Sequence, residues 1–103
     1  MGKGKVAAQV GHASVQAFLN AGVSHPLEVE AWLASGQKKI CVKAPDETMF
    51  RQLRRLAAER GIAHHLVRDA GHTQIPSGSP TVLALGPAGE STLDELTGHL
   101  KLL

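Results

Sequence analysis

The first long segment of the chain constrains the fold most, because it predicts a helix that is apolar over most of its circumference. Residues 4–21 contain neither proline nor an acidic residue, and polar side chains recur at helical spacing at Lys5, Gln9, His12 and Gln16. Surface helices usually expose a broad polar half. A narrow polar line therefore predicts a helix that is packed on two sides, against a sheet and a partner subunit, with the line facing a functional groove.

The rest of the chain alternates helical and extended patterns, as is typical of a layered α/β domain. Gly22 is the predicted end of the first helix. Pro26 suits a helix start and Asp46 is a candidate N-cap. The length of 103 residues predicts one domain, 1–103. The further elements are helices at 26–36, 46–61 and 87–97 and strands at 38–44, 63–69 and 81–85.

The charge of the chain is weakly basic and unevenly distributed. The formal net charge is +2, and residues 37–68 hold eight Lys or Arg against three acidic residues. Arg51, Arg54 and Arg55 on the predicted third helix could contact phosphates, although a solvated helix face is the simpler interpretation. Aromatic residues make up 3% of the chain, which argues against nucleic-acid binding by base stacking.

Two segments that are distant in sequence supply candidate functional groups. Lys5, Gln9 and His12 project from one side of the first helix. Asp69 ends a predicted strand and precedes a loop at 70–80 that is rich in Gly, Pro and Ser. Each segment also has a simpler interpretation: the helix residues could form a solvated stripe, and Asp69 could simply initiate a turn. Our hypothesis is that both segments belong to one site, with Lys5 and Asp69 meeting across a cleft.

Several common classes of site lack their motif in this sequence. There is no Gly-x-Ser-x-Gly nucleophile, P-loop, dinucleotide-binding Gly-x-Gly-x-x-Gly or His-Glu-x-x-His. The single cysteine, Cys41, excludes an intrachain disulfide and a Cys-rich zinc site, and its Ile-Cys-Val context predicts a buried hydrophobe. No stretch is long and apolar enough to span a membrane, and no secretory signal is visible. We expect no metal, no membrane contact and a cytoplasmic location.

Taken together, several segments resemble the archaeal and eukaryotic type of peptidyl-tRNA hydrolase. They are MGKGKVAAQVGHA at 1–13, WL at 32–33, GQKKI at 36–40, DAGHTQ at 69–74, TVLALGP at 81–87 and TGHLKLL at 97–103. The resemblance implies a three-layer α/β/α fold with a small mixed sheet of four strands, three of which are predicted here. It also implies hydrolysis of the ester joining a peptide to the tRNA 3′ ribose, in translation quality control, without a cofactor and often as a homodimer.

The resemblance also assigns site residues by motif position. The catalytic pair falls on Lys5 and Asp69, and substrate-binding positions fall on Lys3, Gln9, His12, Thr73, Gln74 and Thr81. In the mechanism that we hypothesise, Asp69 orients or deprotonates a water molecule, and Lys5 pairs with Asp69 or stabilises the oxyanion. The partner is the acceptor end of peptidyl-tRNA. The alternative is a non-catalytic paralogue of the same fold that binds RNA or protein.

The family pattern places a strand rich in Val and Ile before the segment that opens this chain, and this sequence begins without it. Three explanations stay open: an internal methionine taken as the start, a cut chain, or a truncated paralogue. Loss of an interior strand would expose backbone donors and acceptors on both neighbouring strands. We therefore expect the 103-residue chain to be marginally stable. Thermal unfolding of the purified chain tests this, and a cooperative transition at high temperature would contradict it.

Overall fold

The computed structural model describes residues 1–69 and 78–103, in which helices cover both faces of a small sheet. The predicted α/β class is confirmed. Most of the predicted loop at 70–80 lies outside the described residues. None of the helices in these two ranges could cross a membrane. The elements are α1 (Lys3–Ser24), α2 (Pro26–Ala34), α3 (Glu47–Glu59), β1 (His64–Arg68), β2 (Pro80–Leu85) and α4 (Glu90–Thr97).

Helix α1 packs against both strands and against α2, and its buried side chains are all small. Ala13, Ala17 and Ala21 are its buried residues. Alanine combines the highest helix propensity with a small volume, so the helix axis can lie close to the sheet. The helix continues through Gly22, the predicted end, and stops before Pro26. The reason is steric, because proline disfavours helical geometry in the residue that precedes it.

The second side of α1, which was expected to be packed, is exposed in this structure. Val15 and Leu19 keep 60% and 53% of their surface accessible, and Val23 keeps 89%. The three residues are spaced at i, i+4 and i+8 and therefore form one exposed apolar stripe.

Strands β1 and β2 pair in antiparallel fashion and separate α1 from α3. His65 and Val67 line a cavity together with α1, whereas Leu66 and Arg68 line a cavity together with α3. Alternate residues of a strand point to opposite faces of the sheet, so the two helices lie on opposite faces. The described residues thus form three layers, α/β/α.

The prediction of a sheet strand at 38–44 is wrong. Its one backbone pairing in the described residues is a bridge between Val42 and Leu102, with the Lys43 N–H donating to the Lys101 carbonyl at 2.8 Å. A β-branched centre favours extended backbone, but a strand also needs a hydrogen-bonded neighbour, which the C-terminal residues supply only briefly. Over residues 1–69 and 78–103 the sheet is therefore two-stranded and antiparallel, not mixed. Cys41, predicted to be buried, is exposed.

Helix α3 supplies the main apolar core beneath the sheet. Leu53 and Ala57 pack with Ile62 and with Leu96 of α4, and Leu83 and other partly buried side chains close the cluster. The predicted N-cap is confirmed, because Asp46 Oδ1 accepts a hydrogen bond from the Met49 N–H at 3.0 Å.

Candidate active site

The candidate site is centred on a contact between the first turn of α1 and the residue that follows β1. Lys5 Nζ lies 2.5 Å from Asp69 Oδ2, although the two residues are 64 positions apart in sequence. The side chain of Asp69 is 2% exposed and that of Lys5 is 20% exposed. A carboxylate so deeply buried is stable only with charged or hydrogen-bonding partners, and the Lys5 ammonium supplies one of them. The predicted contact between these two groups is present.

The backbone of Asp69 is fixed on both sides by the residues that lead into β2. Its N–H donates to the Ser79 carbonyl at 2.8 Å, and its carbonyl accepts from the Gly78 N–H at 2.9 Å. These bonds extend the pairing of β1 and β2 by one residue. The backbone that carries the carboxylate is therefore held by the sheet.

An irregularity in the strand pairing turns Thr81 toward α1. Val67 pairs with Val82 and Arg68 pairs with Pro80, so Thr81 is the extra residue of a β-bulge. Its Oγ1 donates to the Val67 carbonyl at 3.1 Å. The same oxygen accepts from Gln9 Nε2, also at 3.1 Å. Bulges commonly redirect side chains beside functional sites.

Thr81 therefore fixes the amide of Gln9 one helical turn beyond Lys5. The hydroxyl proton is directed to the Val67 carbonyl, and one lone pair is used by Gln9. The first two residues of the polar line on α1 thus meet groups at the ends of the β-strands. Lys5 meets the end of β1, and Gln9 meets the start of β2.

Farther along α1, the polar line borders an open cavity of about 490 Å³. Its walls include His12 and Gln16 on α1 and His65 on β1. His65 was not among the site residues predicted from the sequence. The signal was available in the alternation of β1, which places His65 on the same face as Val67.

The remaining predicted site residues are Lys3, Thr73 and Gln74. Lys3 begins α1 and is exposed. Thr73 and Gln74 lie outside the described residues. Within 1–69 and 78–103, no three or more His, Cys, Asp or Glu side chains are grouped closely enough to hold a metal ion.

Comparison with known proteins identifies the family. The chain matches the sequence model of the family described as "Peptidyl-tRNA hydrolase PTH2" over residues 1–103. The chain belongs to this family. The predicted resemblance and the prediction of an enzyme are thereby confirmed.

Named relatives cover almost the whole chain at similar identity. A protein of Methanocaldococcus jannaschii named peptidyl-tRNA hydrolase is 46% identical over 103 residues, which is 100% of this chain and 90% of that protein. One of Thermococcus onnurineus with the same name is 47% identical over 100% of this chain and 87% of its own length. A Mus musculus protein named "Peptidyl-tRNA hydrolase 2, mitochondrial" is 49% identical over 99% of this chain and 56% of its own length.

Burial of the Lys5–Asp69 contact predicts strong energetic coupling between the two side chains. In a double-mutant cycle with Lys5→Met and Asp69→Asn, urea unfolding should give a coupling energy of about 1–3 kcal/mol, as for contacting buried groups. The matched control is the exposed pair Lys38 and Glu90, whose side chains are 67% and 79% accessible. Substituted to Met and Gln, that pair should couple by less than ~1 kcal/mol, because water screens it. Equal coupling energies for both pairs would contradict the buried contact.

Proposed function

We propose that the protein hydrolyses the ester that joins a peptide to the 3′ ribose of tRNA, releasing the peptide and the tRNA. Membership of the peptidyl-tRNA hydrolase family supports the reaction class. The observation that carries the assignment to particular residues is the buried Lys5–Asp69 contact at the end of β1. Loops and strand ends on a rigid scaffold are where α/β proteins place their chemistry.

In the proposed mechanism, Asp69 activates a water molecule. A carboxylate can accept several hydrogen bonds at once, so Asp69 can hold a water while its Oδ2 contacts Lys5. The oriented water attacks the ester carbonyl directly, and Asp69 accepts its proton. That proton is then available to the departing 3′ oxygen of the ribose, so no covalent enzyme intermediate is needed.

Lys5 has two roles in this mechanism. Its positive charge favours the ionised form of Asp69, which is the form that can accept a proton. Its ammonium has three donors, so it can also stabilise negative charge on the tetrahedral oxygen. Burial strengthens both effects, because the low local dielectric increases electrostatic interactions. Gln9, which Thr81 holds one turn farther along α1, is proposed to bind the substrate beside this pair.

The setting of the reaction is also part of the proposal. We infer a role in recycling peptidyl-tRNA in translation quality control, in the cytoplasm, by a homodimer. The single cysteine, Cys41, supports a reducing compartment. The exposed stripe of Val15, Leu19 and Val23 on α1 supports self-association, because contiguous exposed apolar surface marks interaction sites.

Substitution in the proposed pair should abolish most of the activity. Asp69→Asn and Lys5→Met should each slow peptide release from N-blocked aminoacyl-tRNA by about 100-fold or more under single-turnover conditions, the usual effect of removing such groups. Lys38→Met, in an exposed ion pair far along the chain, is the control and should retain wild-type turnover. Near-normal turnover by either pair variant would remove that residue from the mechanism. A wild-type chain that binds the substrate without releasing peptide would instead favour a non-catalytic RNA-binding role.

Self-association through α1 is tested separately. Leu19→Glu places a charge in the middle of the exposed stripe and should convert a dimer to a monomer in sedimentation velocity at micromolar concentration. Glu28→Gln, on α2, changes charge outside the stripe and should leave the sedimentation coefficient unchanged. A monomeric wild-type protein would refute the dimer without affecting the proposed chemistry.

A further inference from the structure

A second cavity, of about 210 Å³, lies between α3 and the sheet and is lined by three arginines. Arg51 and Arg54 come from α3, and Arg68 is the last residue of β1. Phe50 and Leu66 form apolar wall, and Glu47 also borders the cavity. Three guanidinium groups against one carboxylate leave this cavity with a net positive charge.

The arginines of this cavity retain most of their donors. Arg51 is 4.0 Å from the Glu47 carboxylate, at the limit of an ion pair, and also donates to Thr48 Oγ1 at 3.3 Å. Arg68 Nη1 donates to the Gly78 carbonyl at 2.9 Å. In the described parts of the chain, neither Arg54 nor Arg68 lies within 4.0 Å of a carboxylate oxygen. A guanidinium has five donors, so each can still bind an anion.

This arginine cavity is adjacent to the candidate active site through the backbone. Arg68 and Asp69 are consecutive residues, and their Cα atoms are therefore about 3.8 Å apart. Asp69 contacts Lys5 on α1, whereas Arg68 lines the cavity on the α3 side of the sheet. The two sites thus open on opposite faces of the sheet at the same end of β1.

We propose that Arg51, Arg54 and Arg68 bind a phosphodiester of the tRNA acceptor end while the ester occupies the Lys5–Asp69 site. This inference rests on the proposed function. In peptidyl-tRNA the peptide carboxyl is esterified, so the anions common to every such substrate are the tRNA phosphates. Guanidinium groups match phosphate oxygens with paired hydrogen bonds, which makes arginine the favoured side chain for this ligand.

The position of the arginine cavity fits a role in binding and not in chemistry. If the 3′ end of the tRNA bends around the end of β1, its terminal ester lies on one face of the sheet and a phosphate earlier in the RNA lies on the other. The arginines would then anchor the tRNA and leave the reacting atoms to Lys5 and Asp69. Removal of these guanidinium groups should raise KM and leave kcat nearly unchanged.

The test compares substrates with and without phosphates. Arg54→Gln with Arg68→Gln should raise KM for N-blocked aminoacyl-tRNA by about 10-fold and leave kcat within about 2-fold, as expected when the phosphate is no longer bound in the ground state. The slope of log(kcat/KM) against log salt should become shallower by about 1 for each phosphate that is no longer neutralised. Turnover of an N-blocked aminoacyl ester of adenosine, which has no phosphate, should not change.

The matched control is Arg55→Gln. Arg55 is the neighbour of Arg54 on α3, but it lies outside the cavity and is 3.9 Å from Glu59. It should change KM by less than ~2-fold, because an exposed ion pair of this kind contributes little. If Arg55→Gln raised KM as much as the cavity variants do, the rise would reflect overall charge alone. That result would overturn the proposal. A loss of turnover of the adenosine ester would also overturn it.

A binding measurement separates this inference from the proposed function. Fluorescence anisotropy with a deacylated acceptor-stem minihelix requires no hydrolysis, and Arg54→Gln should weaken its binding whether or not the protein is catalytic. That single variant also removes dependence on Arg68, whose hydrogen bond to Gly78 contributes to the end of the sheet. One outcome would assign the cavity to free phosphate: Arg54→Gln leaves the minihelix affinity unchanged, and only the competition by inorganic phosphate, at matched ionic strength, is lost. That outcome would overturn the proposal.

Discussion

The packing of α1 across both strands is the constraint on which the rest of this structure depends. Its buried stripe, Ala13, Ala17 and Ala21, consists of small side chains, which allow a helix to approach its neighbours closely. The polar line is displaced from that stripe and therefore runs along its border with the strands. From this helix Lys5 reaches Asp69 and Gln9 reaches Thr81. A bulkier buried stripe would move the polar line away from the strand ends.

The end of β1 is the second organising element, because its consecutive residues Arg68 and Asp69 lie on opposite faces of the sheet. Alternation along an extended chain sends Asp69 toward α1 and Arg68 toward α3. The bulge at Thr81 disturbs this alternation only on β2, where it turns a hydroxyl to Gln9. One strand end can therefore support a buried acid–base pair on one face and a cationic cavity on the other.

The buried ion pair has a cost that the surrounding fold must offset. Removing a carboxylate from water is unfavourable even when an ammonium is 2.5 Å away, and replacement by apolar groups is often neutral or stabilising. Its presence in a chain of 103 residues, with a core built from few large side chains, favours a chemical role over a structural one. The apolar clusters around Leu53 and Ala21 lie on opposite sides of the sheet and hold the two helical layers that position the pair.

The sequence by itself determined the local elements and the chemical types of the site. Helical spacing predicted α1, α3 and the shared side of Lys5 and Gln9, and the cap at Asp46 followed from residue preference. The tertiary structure decided which extended segments join the sheet and which side chains meet, because local sequence patterns do not encode either. The segment at 38–44 had strand composition but lacked a full hydrogen-bonding neighbour, and Thr81 acquired its direction from a bulge in the pairing with β1. The contact between Lys5 and Asp69 and the grouping of Arg68 with α3 likewise depend on how layers stack, because each joins residues that are remote in sequence and are brought together only by packing.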